Sequence, residues 1–139
     1  LVCIDGRYSD SLSNRLMGKG IYAGGLEYVP ESHTEILRAH LGQYLSADDD
    51  PFSALNTAFL HGGVFITVPD DVAFPEILNV VFVSTGRGSP LATYPRLLIV
   101  AGRNSSLTVH ESYVSLSEEV SFTNAVSEIV LADGAQIQH

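Results

Sequence analysis

Ile99-Val100-Ala101-Gly102-Arg103-Asn104-Ser105-Ser106-Leu107-Thr108 is echoed thirty residues later by Ile129-Val130-Leu131-Ala132-Asp133-Gly134-Ala135-Gln136-Ile137-Gln138. Each copy is an apolar strand, a turn of small and polar residues, and a second strand of alternating polarity. A β unit of this size cannot bury its apolar face alone, and stacking one copy on the next does so. The stretch therefore predicts a stacked β-solenoid, a platform and not a pocket enzyme.

The β texture extends upstream of the echo. Val64 to Val68 reads as a strand closed by Pro69-Asp70-Asp71, and the apolar run Ile77 to Val83 as a buried strand. Thr85-Gly86-Arg87-Gly88-Ser89-Pro90 reads as a loop. Strands follow over Leu97–Val100, Leu107–Val109, Tyr113–Leu116, Val120–Phe122 and Glu128–Leu131, and no helical signal occurs after residue 63.

The first third has a different texture. Val2 and Ile4 precede Asp5-Gly6, a two-residue hairpin signal because both positions tolerate positive φ. Residues 10–31, rich in Ser and Gly, read as a loop ending near Pro30. Ser32 and Glu35 have capping-box spacing, and Ile36, Leu37, His40, Leu41, Tyr44 and Leu45 follow helical spacing. In the acidic run Asp48-Asp49-Asp50, Asp50 caps a second helix that starts at Pro51 and runs through Phe52, Leu55 and Phe59. The run thereby serves a helix N-terminus before it serves an ion. His61-Gly62-Gly63 reads as the helix end, with glycine as the left-handed cap. The organisation is a hairpin, linker and helical segment over residues 1–51, then an incomplete β body over 52–139.

Composition narrows the functions. The chain has 139 residues, 45% hydrophobic and 17% charged, which suits one core-rich domain. Its net charge of -9 disfavours nucleic acid and anionic membrane, both of which require clustered Lys and Arg. A single cysteine, Cys3, cannot form an internal disulfide, so a reducing, cytoplasmic compartment is expected. No run is apolar for long enough to span a bilayer, and no signal peptide is visible. The start at Leu1 and the strand-like run Ile137-Gln138-His139 read as the cut ends of a longer protein.

No residue stands out as catalytic, cofactor-binding or metal-ligating. His110-Glu111 is the one adjacent His–carboxylate pair, but neighbours on a strand point to opposite faces and do not converge on an ion. His61 fits a helix-end interaction with carbonyls, Arg103-Asn104 fits turn chemistry, and Cys3 fits a small buried hydrophobe. No Gly-x-Ser-x-Gly elbow, phosphate-binding glycine loop or His-x-His pair is present. Two alternatives stay open on motifs alone. One is a solenoid enzyme for carbohydrate or acyl substrates, which needs a groove of convergent carboxylates. The other is a cupin-like metal barrel.

The strings themselves add a resemblance. Leu55-Asn56-Thr57-Ala58-Phe59-Leu60-His61-Gly62-Gly63, followed by Val64 to Pro69, resembles the entry to the core of the SufB/SufD family. It continues through Phe82-Val83-Ser84-Thr85-Gly86, Pro95-Arg96, Asn104-Ser105, Val109-His110-Glu111-Ser112-Tyr113 and Phe122-Thr123-Asn124-Ala125-Val126-Ser127-Glu128-Ile129. The Asp5-Gly6-Arg7-Tyr8 hairpin resembles the SufD branch in particular. The resemblance implies a mainly β fold, a right-handed parallel β-helix with a small α-containing N-terminal segment. It implies a scaffold subunit for iron–sulfur cluster assembly that pairs with SufB-like and SufC-like proteins and is not itself an enzyme. The cluster is then handled by the full complex. The family's cluster-related Cys and His positions belong to a later part of the chain, so neither Cys3 nor His139 inherits them. A stack cut at Ile137-Gln138-His139 would expose a strand edge, and a homodimer through β-helix edges is expected.

Overall fold

The structure, a computed structural model, describes residues 1–45, 50–86 and 90–139. Asp48 and Asp49 of the acidic run, and Arg87-Gly88-Ser89 of the expected loop, lie outside the described residues.

β1 (Val2–Ile4) turns back at Asp5-Gly6 into β2 (Arg7–Tyr8), with Cys3 opposite Tyr8. Both turn residues take positive φ, 50° and 82°, as the hairpin signal requires. The 10–31 stretch, expected as a loop, contains β3 (Leu16–Gly18) and β4 (Ile21–Gly25), and β4 is buried throughout. Its glycines make that possible. A β-carbon on Gly25 would sit 2.6 Å from the Tyr8 ring, and one on Gly24 would sit 2.8 Å from the Tyr22 hydroxyl. Glycine here serves close packing inside a sheet and not a turn.

α1 (Glu31–His40) starts after Pro30 and not at the expected capping box. Ser32 Oγ meets His33 Nδ1, while the Thr34 hydroxyl donates to the Pro30 carbonyl. The helix stops short of Tyr44 and Leu45 because Gly42 turns the chain with φ +73°. α2 (Pro51–Ala58) has the expected cap: Asp50 accepts from Phe52 N–H at 3.3 Å and Ser53 N–H at 2.8 Å. Hydrogen bonds from the Ser53 hydroxyl and from these amides hold the Asp50 carboxyl below its ordinary range. α2 ends at Ala58 with Phe59 as its cap, so Gly62-Gly63 is not the helix end.

The remaining strands are β5 (Gly63–Val68), β6 (Ala73–Ser84), β7 (Leu91–Thr93), β8 (Arg96–Ala101), β9 (Ser106–Ser115), β10 (Ser121–Thr123), β11 (Val126–Leu131) and β12 (Gln136–Gln138). β6 is not the continuously buried run expected: Leu78, Val80 and Phe82 face inward while Ile77 is 61% exposed. The two strands expected over 107–116 are one, β9, and the short β7 appears where none was expected.

Among the described residues the strands form one sheet ordered β12-β9-β6-β1-β2, a second ordered β11-β8-β5-β4-β3, and a two-stranded β10-β7 pair. The fold is thus mostly β with mixed sheets. β5-β8-β11, β6-β9-β12 and β7-β10 are parallel, whereas β2, β3 and β4 add antiparallel. Strands from the first 51 residues complete both large sheets.

The echo is the register. Ile99 lies beside Ile129, and Leu107 beside Ile137, each pair thirty residues apart. Ile66 lies beside Ile99 on the other side, so isoleucine recurs down one inward column. Between the sheets this column joins Val64, Val68, Leu78, Val80, Phe82, Leu97, Leu107 and Val109 in the main core. Each fully buried Leu, Ile or Val contributes roughly 1.5–3 kcal/mol. On the opposite face of the second sheet, Tyr22, Phe65 and Leu98 are covered by Ile36, Leu37 and Leu41 of the α1 region.

The corner between the sheets repeats as well. Asp71, Asn104 and Gly134 occupy matching positions and take φ of 60°, 52° and 72°. These are the residue types that tolerate the left-handed region at least cost. Beside them Asp70 accepts from Arg103 N–H at 2.7 Å and from its guanidinium at 2.8 and 2.9 Å. The guanidinium and amide bonds hold the Asp70 carboxyl below its ordinary range.

Candidate functional site

The densest polar site is a buried network around Arg96, on the helix-covered face of the second sheet. β8 places Arg96 two residues before Leu98 on one face, and β11 places Glu128 beside Leu98. Both side chains are 1% exposed, and Arg96 Nη1 donates to Glu128 Oε2 at 2.7 Å. Arg96 Nε donates to Asn56 Oδ1 at 2.9 Å and Nη2 to Thr57 Oγ1 at 2.9 Å, both on α2. Asn56 in turn donates to the carbonyls of Asn124 and Pro95 at 2.7 and 3.1 Å. Gly42 N–H, just past α1, donates to Glu128 Oε2 at 3.0 Å, and Asn124 Nδ2 donates to the Phe52 carbonyl at 2.8 Å. The Arg96–Glu128 pair thus ties α2 and the turn after α1 to two successive strand layers. It positions; it has no exposed face on which to act.

A second polar group lies inside the stack. Glu111 faces inward on β9 beside Val80, where the layer below is apolar. It accepts from the Tyr113 hydroxyl, from Ser127 Oγ at 3.4 Å, and pairs with His139 Nε2 at 2.7 Å. Burial, then the hydrogen bond to Glu111, pushes the Tyr113 phenol up. His110 points the other way, to Asn79 Oδ1 at 3.3 Å. The pair that a cupin-like barrel would use therefore diverges, as strand geometry demands.

The other expected residues fall as follows. His61 is exposed and lies three residues past α2, off the carbonyls it was expected to meet. Arg103 and Asn104 sit at the corner turn, Asn104 donating to Asp71 Oδ1 at 2.9 Å. The corner aspartates are therefore engaged in turns, not gathered into a groove of convergent carboxylates. Cys3 is fully buried in the main core, and burial pushes its thiol up to about 12. Only the thiolate reacts rapidly. Iodoacetamide at about pH 8 is accordingly expected to leave Cys3 unlabelled in the native chain and to label it in urea, read by mass spectrometry. Equal labelling rates would refute the burial.

Sequence reasoning missed Arg96, Glu128 and Asn56 as partners. Their signal was a charge at the start of each of two stacked apolar strands, which composition alone assigns to solvent.

The third feature is an edge. β10, β11 and β12 are the outermost strands at one end of their respective sheets. There Val120, Phe122 and Leu131 are 75%, 44% and 49% exposed, and Ile129 and Ile137 are half-covered extensions of the core. Unpaired parallel edges with apolar columns ending on them form a stacking surface. Among the described residues no helix is long and apolar enough to cross a membrane.

Comparison with known proteins places this architecture. Residues 1–80 match the family model described as the SufBD protein N-terminal region, and residues 82–139 match the SUF system FeS cluster assembly SufBD core domain. An iron-sulfur cluster assembly SufBD family protein of Synechocystis is 29% identical over 100% of this chain and 32% of its own length. The iron-sulfur cluster assembly protein SufD of Bacillus subtilis is 27% identical over 93% of this chain and 30% of its own. A SufBD family protein of Arabidopsis thaliana is 26% identical over 99% of this chain and 30% of its own. The chain spans about a third of the length of these relatives. With these two family models matched over residues 1–80 and 82–139, the chain belongs to the SufBD family of the SUF iron–sulfur cluster assembly system.

Proposed function

We propose that the chain is part of a scaffold subunit of the Suf complex, pairing with SufB-like and SufC-like proteins and performing no catalysis itself. The observation that carries this reading is the repeated parallel layer ending on open edges, in a chain matched throughout by SufBD family models. Alternation of the chain between two sheets, β5 to β6, β8 to β9, β11 to β12, supports reading the layers as the first coils of a right-handed parallel β-helix. Iron and sulfide are cargo of the complete complex, and the buried residues here shape the platform. A free, buried Cys3 suits a reducing, cytoplasmic setting.

Affinity purification of the full-length protein tests the reading. SufB-like and SufC-like proteins are expected to co-elute in fixed ratio, and elution of the subunit without either would overturn it. The 139-residue chain by itself is expected to self-associate through β11 and β12 at micromolar concentration, read by sedimentation velocity. A clean monomer would remove the edge-pairing part of the proposal.

A further inference from the structure

The buried network around Arg96 holds more than itself in place. Arg96 bonds Asn56 and Thr57, and Asn124 Nδ2 bonds the Phe52 carbonyl, so α2 is clamped to the strands at its start and near its end. The clamped helix and its cap present Phe52 and Phe59, about two turns apart, at 59% and 47% exposure. The Phe59 ring stacks on Tyr94 with centroids 5.0 Å apart, and Tyr94 meets Phe122 edge-on at 6.3 Å. Rings from the end of α2, the β7–β8 turn and β10 thus make one row.

Phe122 faces away from the stack. On β7 and β10 the hydroxyls of Thr93 and Thr123 bond to each other at 3.2 Å and line the inner space beside Phe82 and Tyr113. Phe122, beside Ala92 in register, therefore takes the outer side of the same strands. A strand pairing with the open edge of β10 would lie beside this ring and not over it. Aromatic rings exposed on a clamped backbone bind proteins well, because they bury much area and lose little freedom in doing so.

The charges beside the row define the partner. Glu118 and Glu119 are exposed just ahead of β10, and Asp50 caps α2 two residues before Phe52. Among the described residues the one cation over an aromatic ring is Arg15 over Tyr28, so no guanidinium of this chain occupies these rings. Ring faces attract cations, and neighbouring carboxylates add to that attraction. The same carboxylates repel nucleic-acid phosphates and anionic lipid headgroups. Arginine meets both demands, since it stacks on rings and pairs with carboxylates.

We infer that the Phe59–Tyr94–Phe122 row is a docking surface for a segment of a partner protein in which arginine stands among apolar residues. The apolar residues cover Phe52 and Phe59, and the guanidinium lies over Phe122 on the side of Glu119. This surface is distinct from the β11 and β12 edges, so it stands or falls independently of self-association there.

Photo-cross-linking of the full-length protein in cells tests this. p-Benzoylphenylalanine in place of Phe122 keeps a phenyl ring on the row, and the same residue in place of Ile77, 61% exposed on β6, is the control. Cross-linking from the Phe122 position is expected to exceed the control about fivefold or more. The product is expected to map by mass spectrometry to one segment of another protein, with arginine beside the cross-linked residue. Glu118→Lys combined with Glu119→Lys is expected to lower the yield about tenfold at an unchanged thermal midpoint, because both positions are exposed. The mapped segment, made as a peptide, is expected to bind the full-length protein about tenfold more tightly than its version with glutamate for arginine. Equal yields at the two positions overturn the inference, as does a product that maps to a second copy of this chain. A mapped segment without arginine, or a yield indifferent to the charge reversal, overturns the partner's assigned chemistry.

Discussion

Arg96→Ala is expected to destabilise the protein by roughly 3–5 kcal/mol, because it leaves Glu128 as an uncompensated buried charge. Three side chains lose their organiser at once, Glu128, Asn56 and Thr57, and with Asn56 the two carbonyls it holds. Glu128 Oε1 is already buried and without a partner among the described residues, and Oε2 would keep only the Gly42 N–H. Since native proteins retain only about 5–15 kcal/mol, the variant is expected to fall close to its unfolding threshold. Urea titration of the full-length protein reads the effect as a lower midpoint at unchanged slope. The paired change Arg96→Met with Glu128→Leu is expected to cost much less than either single change, because no charge is then stranded. Additive losses in that cycle would mean that the pair is not coupled.

Gly63→Ala is the second large effect. Gly63 opens β5 with φ +153°, a value that side-chain-bearing residues rarely adopt. A β-carbon there would sit 2.0 Å from the Arg96 carbonyl oxygen and 2.9 Å from its carbonyl carbon and its nitrogen. The obstruction is backbone on the neighbouring strand, so no side-chain rotation relieves it. β5 must shift away from β8, which moves Arg96 as well, since Gly63 and Arg96 are register partners. A loss above about 4 kcal/mol, or failure to fold, is expected from strain at such a position. Gly42→Ala provides the contrast: it also has positive φ, +73°, but nothing lies within 4 Å of its added carbon. Its cost is expected to be only the conformational one, about 1 kcal/mol. Equal midpoints for the two variants in thermal melts would contradict the steric account.

Much of the fold was legible because its causes are local. Asp5-Gly6 makes a hairpin and Asp50-Pro51 starts a helix through groups within three residues of each other. The echo reports layer spacing because stacked parallel strands must repeat side chains at matched positions. Asn104 and Gly134 align because the corner requires a left-handed residue in every layer. The misreadings share a different cause. The glycines of β4 suggested a loop, yet they are small because the Tyr8 and Tyr22 side chains approach them. The capping box at Ser32 had the right letters, but Pro30 and the Thr34 hydroxyl set the helix start two residues earlier. Ile77–Val83 looked uniformly buried because both faces carry apolar residues, while only one faces the core.

Sequence by itself determined the repeat length, the turn chemistry and the family strings that mark a SufBD chain. Tertiary structure alone decided that Arg96 and Glu128 are buried together and that Glu111 turns inward to His139 and away from His110. The physical reason is distance along the chain. A turn or cap depends on neighbours a few residues away, and periodicity displays it. The cost of a buried charge depends on what packs over it, and Glu128 meets Arg96 across 32 residues and Gly42 across 86.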